Sequence, residues 1–218
     1  MISSPRNLVV SVTNTAKTYG TADPAFEVTY DTFAFSEDVS ALNGTLTISR
    51  EPGEDVGTYV VTASGLTSDN YIITFVEGEL EIIPAALTVT VANASKVYGE
   101  NDPDFTATFG GFQWEDDAED LEGTLVFTRE PGEDAGTYAI TASGLTSNNY
   151  TITFVEGELT ITPAQLTVTV ANATKVYGEN DPDFTATFGG FQWEDDAEDL
   201  EGTLVFTREP GENVGTYA

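Results

Sequence analysis

Residues 87–99 read Leu87-Thr88-Val89-Thr90-Val91-Ala92-Asn93-Ala94-Ser95-Lys96-Val97-Tyr98-Gly99. Through Val91, apolar residues alternate with Thr, the period of a strand with one buried face. From Asn93 to Pro103 the chain turns polar, with Gly99, Asn101 and Asp102-Pro103 as loop signals. The stretch returns 79 residues later as Leu166 to Gly178, changed only at Ser95/Thr174, and its Tyr-Gly end also stands at Tyr19-Gly20. Gly-Thr-Tyr recurs at Gly57, Gly136 and Gly215, and a proline at Pro5, Pro84 and Pro163. Between 86–139 and 165–218, 54 positions compared, only Ala86/Gln165, Ser95/Thr174, Asp134/Asn213 and Ala135/Val214 differ. A fixed period of this kind is the mark of an array. A 79-residue unit is large enough for a small core of its own, unlike the shorter units of a solenoid.

The repeat divides the chain into a tail of a preceding unit at 1–5, repeat 1 at 6–84, repeat 2 at 85–163 and an incomplete repeat 3 at 164–218. Within repeat 2 the strand-like runs are 87–91, 104–109, 123–129, 136–142, 150–154 and 158–161. The last two flank Val155-Glu156-Gly157 and make either a hairpin or one strand bulged at Gly157. Trp114, Ala118 and Leu121 sit at spacings of four and three behind an acidic start, which predicts one or two helical turns across a sheet. The fold class is therefore mainly β, a series of small domains with one short helix each. Strand periodicity alone leaves immunoglobulin-like sandwiches open as an alternative. About three residues, one of them Pro, join the last strand of a unit to the next, which suits an end-to-end array.

Composition sets the medium. Seven Lys+Arg against 37 Asp+Glu give a net charge of −30, with no His and no Cys. Such a surface repels nucleic-acid phosphates and anionic lipid heads. No apolar run reaches the length of a membrane span, and the residues before Arg6 lack the apolar core of a secretion signal, so any export signal lies outside this segment. Without His or Cys the common nucleophile-and-base arrangements are missing. With so many carboxylates, a pair at glycosidase separation arises by chance. No enzymatic activity is expected.

Lys96-Val97-Tyr98-Gly99-Glu100-Asn101-Asp102-Pro103, Leu121-Glu122-Gly123-Thr124-Leu125, Arg129-Glu130-Pro131-Gly132-Glu133, Gly136-Thr137-Tyr138 and Asn149-Tyr150 together resemble the MBG domain repeats of bacterial surface proteins, the type marked by Tyr-Gly. The resemblance covers essentially the whole chain. Repeat 1 departs most, with Thr32-Phe33-Ala34-Phe35 where repeat 2 has Gly111-Phe112-Gln113-Trp114. The resemblance implies a β-grasp-like domain with a mixed sheet and a short helix, tandem use in adhesin-like extracellular or cell-surface proteins, and no catalytic residues.

Candidate sites are few. Oxygen ligands for calcium would come from Asp102 and Asp104 in one turn with Asp116, Asp117 and Asp120 at the helix start, if these met. Turn and helix-start chemistry explain the same residues without a cation. Trp114 and Trp193 offer faces for a glycan, or staple the helix to the sheet as core. Lys17, Lys96 and Lys175 precede each Tyr-Gly. A Lys96–Asn149 cross-link is disfavoured, because parallel first and last strands would place them at opposite ends; surface ion pairing is the simpler role. The expected function is that of stalk or fibre repeats supplying length. Alternatives are a filament subunit completed by strand exchange between chains, and a glycan- or mucin-binding module. Expected partners are neighbouring repeats or further copies, and possible host or matrix glycan, but neither nucleic acid nor membrane.

Overall fold

The computed structural model describes residues 4–218; of the expected tail at 1–5, residues 1–3 lie outside the described residues. Repeat 1 runs β1 (Arg6–Val12), β2 (Thr15–Thr18), β3 (Val28–Tyr30), a 3-10 turn (Val39–Ala41), β4 (Asn43–Arg50), β5 (Gly57–Thr67), β6 (Tyr71–Val76) and β7 (Gly78–Ile83). Repeat 2 has the same order in β8 (Ala85–Val91), β9 (Ala94–Val97), β10 (Ala107–Gly110), a 3-10 turn (Ala118–Asp120), β11 (Glu122–Arg129), β12 (Gly136–Thr146), β13 (Tyr150–Val155) and β14 (Gly157–Thr162). Repeat 3 contributes β15 (Thr167–Val170), β16 (Ala186–Gly189) and the 3-10 turn Ala197–Asp199. The chain is mainly β, with mixed sheets in repeated units.

In repeat 1 a three-stranded sheet has the order β3-β1-β6 and a four-stranded sheet the order β2-β7-β5-β4. Strands β1 and β6 are parallel, with Arg6 opposite Tyr71, and so are β2 and β7, with Thr18 opposite Ile83. Successive segments thus keep the same partner and direction, so β6 and β7 are one strand path broken at Glu77 rather than a hairpin. Register repeats in the next copy, where Tyr150 is opposite Ala85 and Ile161 opposite Lys96. In repeat 1 the corresponding residues, Asn70 just before Tyr71 and Lys17 opposite Ile82, lie at opposite ends of the paired path. The parallel pairs also distinguish the fold from the two antiparallel sheets of an immunoglobulin sandwich.

Two expectations need correction. Residues 93–103 are not all loop, because Ala94–Val97 forms β9 beside β14. The expected one or two helical turns shrink to the three residues Ala118–Asp120. Trp114 has φ 51°, in the left-handed region, so no right-handed helix runs through it from 112 to 121. A capping box between Asp117 and Asp120 fixes the short turn.

The residues form two compact units that cut across the sequence repeats. Unit 1 takes the chain up to Val91 with Thr106–Thr128 and Thr141–Glu156, and unit 2 takes Ala92–Phe105, Arg129–Ile140 and Gly157–Ala218. In unit 1, alternation delivers Leu8, Val10, Leu80, Leu87 and Val61 to full burial, all at 0 % exposure. Its core cluster joins Val12, Tyr19, Leu80 and Ile82 of repeat 1 to Leu87, Leu121 and Tyr150 of repeat 2. In unit 2, β15 lies with β16 and has all four residues exposed.

A cationic cluster braces each repeat. Lys17 is only 8 % exposed and pairs with Asp23 at 2.7 Å and with Glu54. Arg50 pairs with the same two carboxylates and lies over the Tyr59 ring at 5.5 Å. Lys96, Asp102, Arg129, Glu133 and Tyr138 repeat the arrangement in unit 2, as do Lys175, Asp181, Arg208, Glu212 and Tyr217. The ion pairs expected of Lys17 and Lys96 form, with the lysines themselves buried and their carboxylate partners half-exposed. Burial alone would lower the Lys17 ammonium, but Asp23 and Glu54 outweigh it and raise the pKa. Six of the seven cations are held in these clusters, so little positive charge remains to balance the rest of the surface.

Arg50 holds Asp23 below the ordinary carboxylate range, Arg129 does the same for Asp102, and Arg208 lowers Asp181 to about 2. Folded carboxylates therefore bind fewer protons than unfolded ones. Their stabilisation is present above the ordinary carboxyl value of 3.8 and is lost as pH falls through the depressed values. At neutral pH the net charge of −30 opposes compactness. Thermal melts across pH should thus show stability rising from pH 7 toward about 4.5, then falling between about 4 and 2. Stability that holds or keeps rising between about pH 4 and 2 would remove the role given to the clusters.

Candidate inter-repeat interface

The Tyr-Gly signature meets the loop after β10. Tyr19, 6 % exposed, has its ring edge-on to Trp114, with centroids 4.9 Å apart and planes at 70°. Its hydroxyl donates to Asp116 Oδ2 at 2.9 Å. Tyr150 donates to the same oxygen at 2.6 Å and sets its ring edge-on to Tyr19 at 5.3 Å. One carboxylate from repeat 2 thus gathers a phenol from each repeat. Gly20 has φ 86°, and a Cβ there would overlap the side chain of Gln113. The glycine is required twice, for its backbone angle and for the approach of Gln113.

The receiving loop is held by its own bonds. Asp116 N donates to the Gln113 carbonyl at 3.0 Å, closing a turn, and Gln113 N donates to the Tyr150 hydroxyl at 2.8 Å. Trp114 occupies the first central position with positive φ, a place that favours glycine. An aromatic residue there costs on the order of 1–3 kcal/mol and persists only if its surroundings hold it. Phe112 supports the loop from below, stacked on Phe109 at 5.7 Å and edge-on to Tyr150 at 5.6 Å. A second clasp comes from Asn149, whose Oδ1 accepts from Val56 N and whose Nδ2 donates to Asp55, both at 2.9 Å.

Unit 2 builds the same contact from the next pair of repeats. Tyr98 lies edge-on to Trp193 at 4.9 Å and 67°, and its phenol is hydrogen-bonded to Asp195. Gly99 has φ 92°, and a Cβ there would overlap Gln192. Trp193 has φ 48°, and Asp195 N donates to the Gln192 carbonyl at 3.0 Å.

The site residues expected from sequence scatter among other tasks. Asp102 serves the ion cluster, Asp104 is exposed, Asp116 gathers the two phenols, and Asp117 and Asp120 close the capping box. Among the described residues no group of three or more acidic side chains is disposed to hold a metal ion. Trp114 and Trp193 remain 58 % and 59 % exposed, so neither is the core staple expected of it. Sequence reading overlooked Tyr19, Gln113 and Tyr150 as partners. The available signal was that repeat 1 differs from repeat 2 most at the loop where Trp114 stands.

Burial first, then the Asp116 contact, pushes Tyr150 up to about 12 and Tyr19 higher still. Both stabilise the folded state as neutral phenols. That contribution is complete below the ordinary phenol value of 10.0 and is lost as pH rises through the folded values. An ultraviolet titration should show Tyr19 and Tyr150 ionising last, behind the smaller upward shifts of Tyr71 and Tyr98, together with loss of structure at about pH 12 and above. Ionisation of all nine tyrosines near 10 would contradict the interface.

A family model for the MBG domain (YGX type) matches residues 8–81, 87–160 and 166–218. Comparison with curated proteins gives no match.

Proposed function

Since the chain belongs to the MBG domain (YGX type) family, we propose that it is a spacer array of a bacterial extracellular or cell-surface, adhesin-like protein, supplying length and fixed spacing. MBG repeat domains are found in surface proteins and are non-catalytic. The observation that carries the reading is the repeated Tyr-Gly contact, formed alike by Tyr19 with Trp114 and by Tyr98 with Trp193. A junction made the same way at each step sets a constant increment along the chain. The acidic surface supports the reading, since like charge keeps neighbouring arrays apart.

Small-angle scattering on chains of two to six repeats tests it. The longest dimension should grow by about 30–40 Å per repeat, the span of strands of this length. A dimension that stops growing, or a compact particle, would overturn the proposal.

A further inference from the structure

We infer that Trp114, and Trp193 after it, is a docking point for a basic polypeptide, an arginine of which stacks on the indole while carboxylates of the same loop hold its guanidinium. Trp114 stands mid-chain with its contact to Tyr19 already made, and it is still 58 % exposed. Its exposure is therefore what the formed junction leaves. Trp193, met by Tyr98 in the same way, is 59 % exposed. Both rings are presented from a backbone at φ 51° and 48°, where glycine would fit most cheaply.

Charge names the occupant. From Glu115 to Glu122 the loop carries six carboxylates and no cation. Asp116 is taken up by the two phenols, and Asp117 and Asp120 by the capping box. Glu115, Glu119 and Glu122 are exposed, and among the described residues no lysine or arginine pairs with them. A neutral sugar would use the ring and gain nothing from this charge, and an anionic one would be repelled.

The chain itself shows the missing half of the contact. Arg129 lies over the Tyr138 ring at 5.6 Å while Asp102 and Glu133 hold its guanidinium. Tryptophan is a better acceptor for a cation than tyrosine, yet Trp114 has carboxylates in its loop and no arginine. Six of the seven cations are fixed in the ion clusters, and Arg6 stands at the start of β1. The cation must come from another molecule. Arginine suits it better than lysine, being planar, weakly hydrated and able to stack while its N–H fork meets a carboxylate.

The chain has two tryptophans, so its indole emission reports these two sites alone. Titrating the full chain with a tetra-arginine peptide at about 0.15 M salt, where charge acts over about 8 Å, should quench the emission to saturation. Tetra-lysine should bind severalfold more weakly. Anisotropy of the dye-labelled peptide then follows the variants. Trp114→Gly with Trp193→Gly suits the backbone angle and should weaken binding about threefold to tenfold. Trp114→Phe with Trp193→Phe, the residue type that Phe35 places at φ 52° in repeat 1, should keep part of it. Glu115→Gln with Glu119→Gln should weaken binding without touching the ring. Thermal melts check that each variant folds. The inference fails if the peptide leaves the emission unmoved. It fails equally if the glycine variant binds as tightly as the parent, the behaviour of diffuse attraction to a surface of net charge −30. Quenching by neutral cellotetraose but not by the peptide would overturn it in favour of a sugar platform. None of these failures touches the spacer reading, which scattering tests separately.

Discussion

In Asp116→Ala, unit 1 is expected to lose about 2–6 kcal/mol, because two buried phenols lose one shared acceptor and each unsatisfied hydroxyl costs about 1–3 kcal/mol. Tyr19 and Tyr150 are 6 % and 5 % exposed, so water cannot readily replace the carboxylate. Two controls set the scale. Tyr19→Phe removes one donor and leaves Asp116 bonded to Tyr150, for about 0.5–1.5 kcal/mol. Asp117→Ala removes only the cap of the 3-10 turn, for about 0.5–2 kcal/mol. Urea unfolding of unit 1 measures all three. If Asp116→Ala costs no more than Asp117→Ala, the shared carboxylate is not what joins the repeats.

Leu80→Ala is expected to cost about 2–5 kcal/mol, the range for a fully buried leucine whose site cannot collapse. Leu80 is 0 % exposed on β7, with β2 and β5 on either side. Backbone pairing on both flanks keeps the walls from closing on the cavity. Val126→Thr, on a side chain 48 % exposed in β11, should by contrast stay within about 0.5 kcal/mol. Equal losses for the two would mean that the alternation does not decide the core.

Where the sequence was legible, local chemistry governed. Leu87, Val89 and Val91 alternate with Thr, and all three are buried. The turn at Glu130 to Asp134 needed only its Pro and Gly to be recognised. What escaped depended on partners distant in the chain. Lys96 looks like a surface residue until Asp102 and Glu133 close on it, the latter 37 positions away. Ala94–Val97 becomes strand because β14 lies alongside, not because its own residues favour one. The helix expected over Trp114 to Leu121 rested on a spacing that the turn at Gln113 to Asp116 overrides. Of the interface, the Tyr-Gly pair was conspicuous, but its partner lies 97 positions on at Asp116. Periodicity identifies what recurs, and only the fold says which recurring pieces touch.

The pairing of each repeat's first and last strands has a consequence under load. The chain enters repeat 1 at Arg6, opposite Tyr71, and leaves it at Ile83, opposite Thr18. Tension applied through the chain pulls these two neighbouring parallel paths lengthwise past each other. Their hydrogen bonds then bear force in shear, many at once, instead of peeling open one by one. A repeat wired in this way resists extension far better than a hairpin pulled at its open end, a property suited to a tether that must not lengthen when tugged.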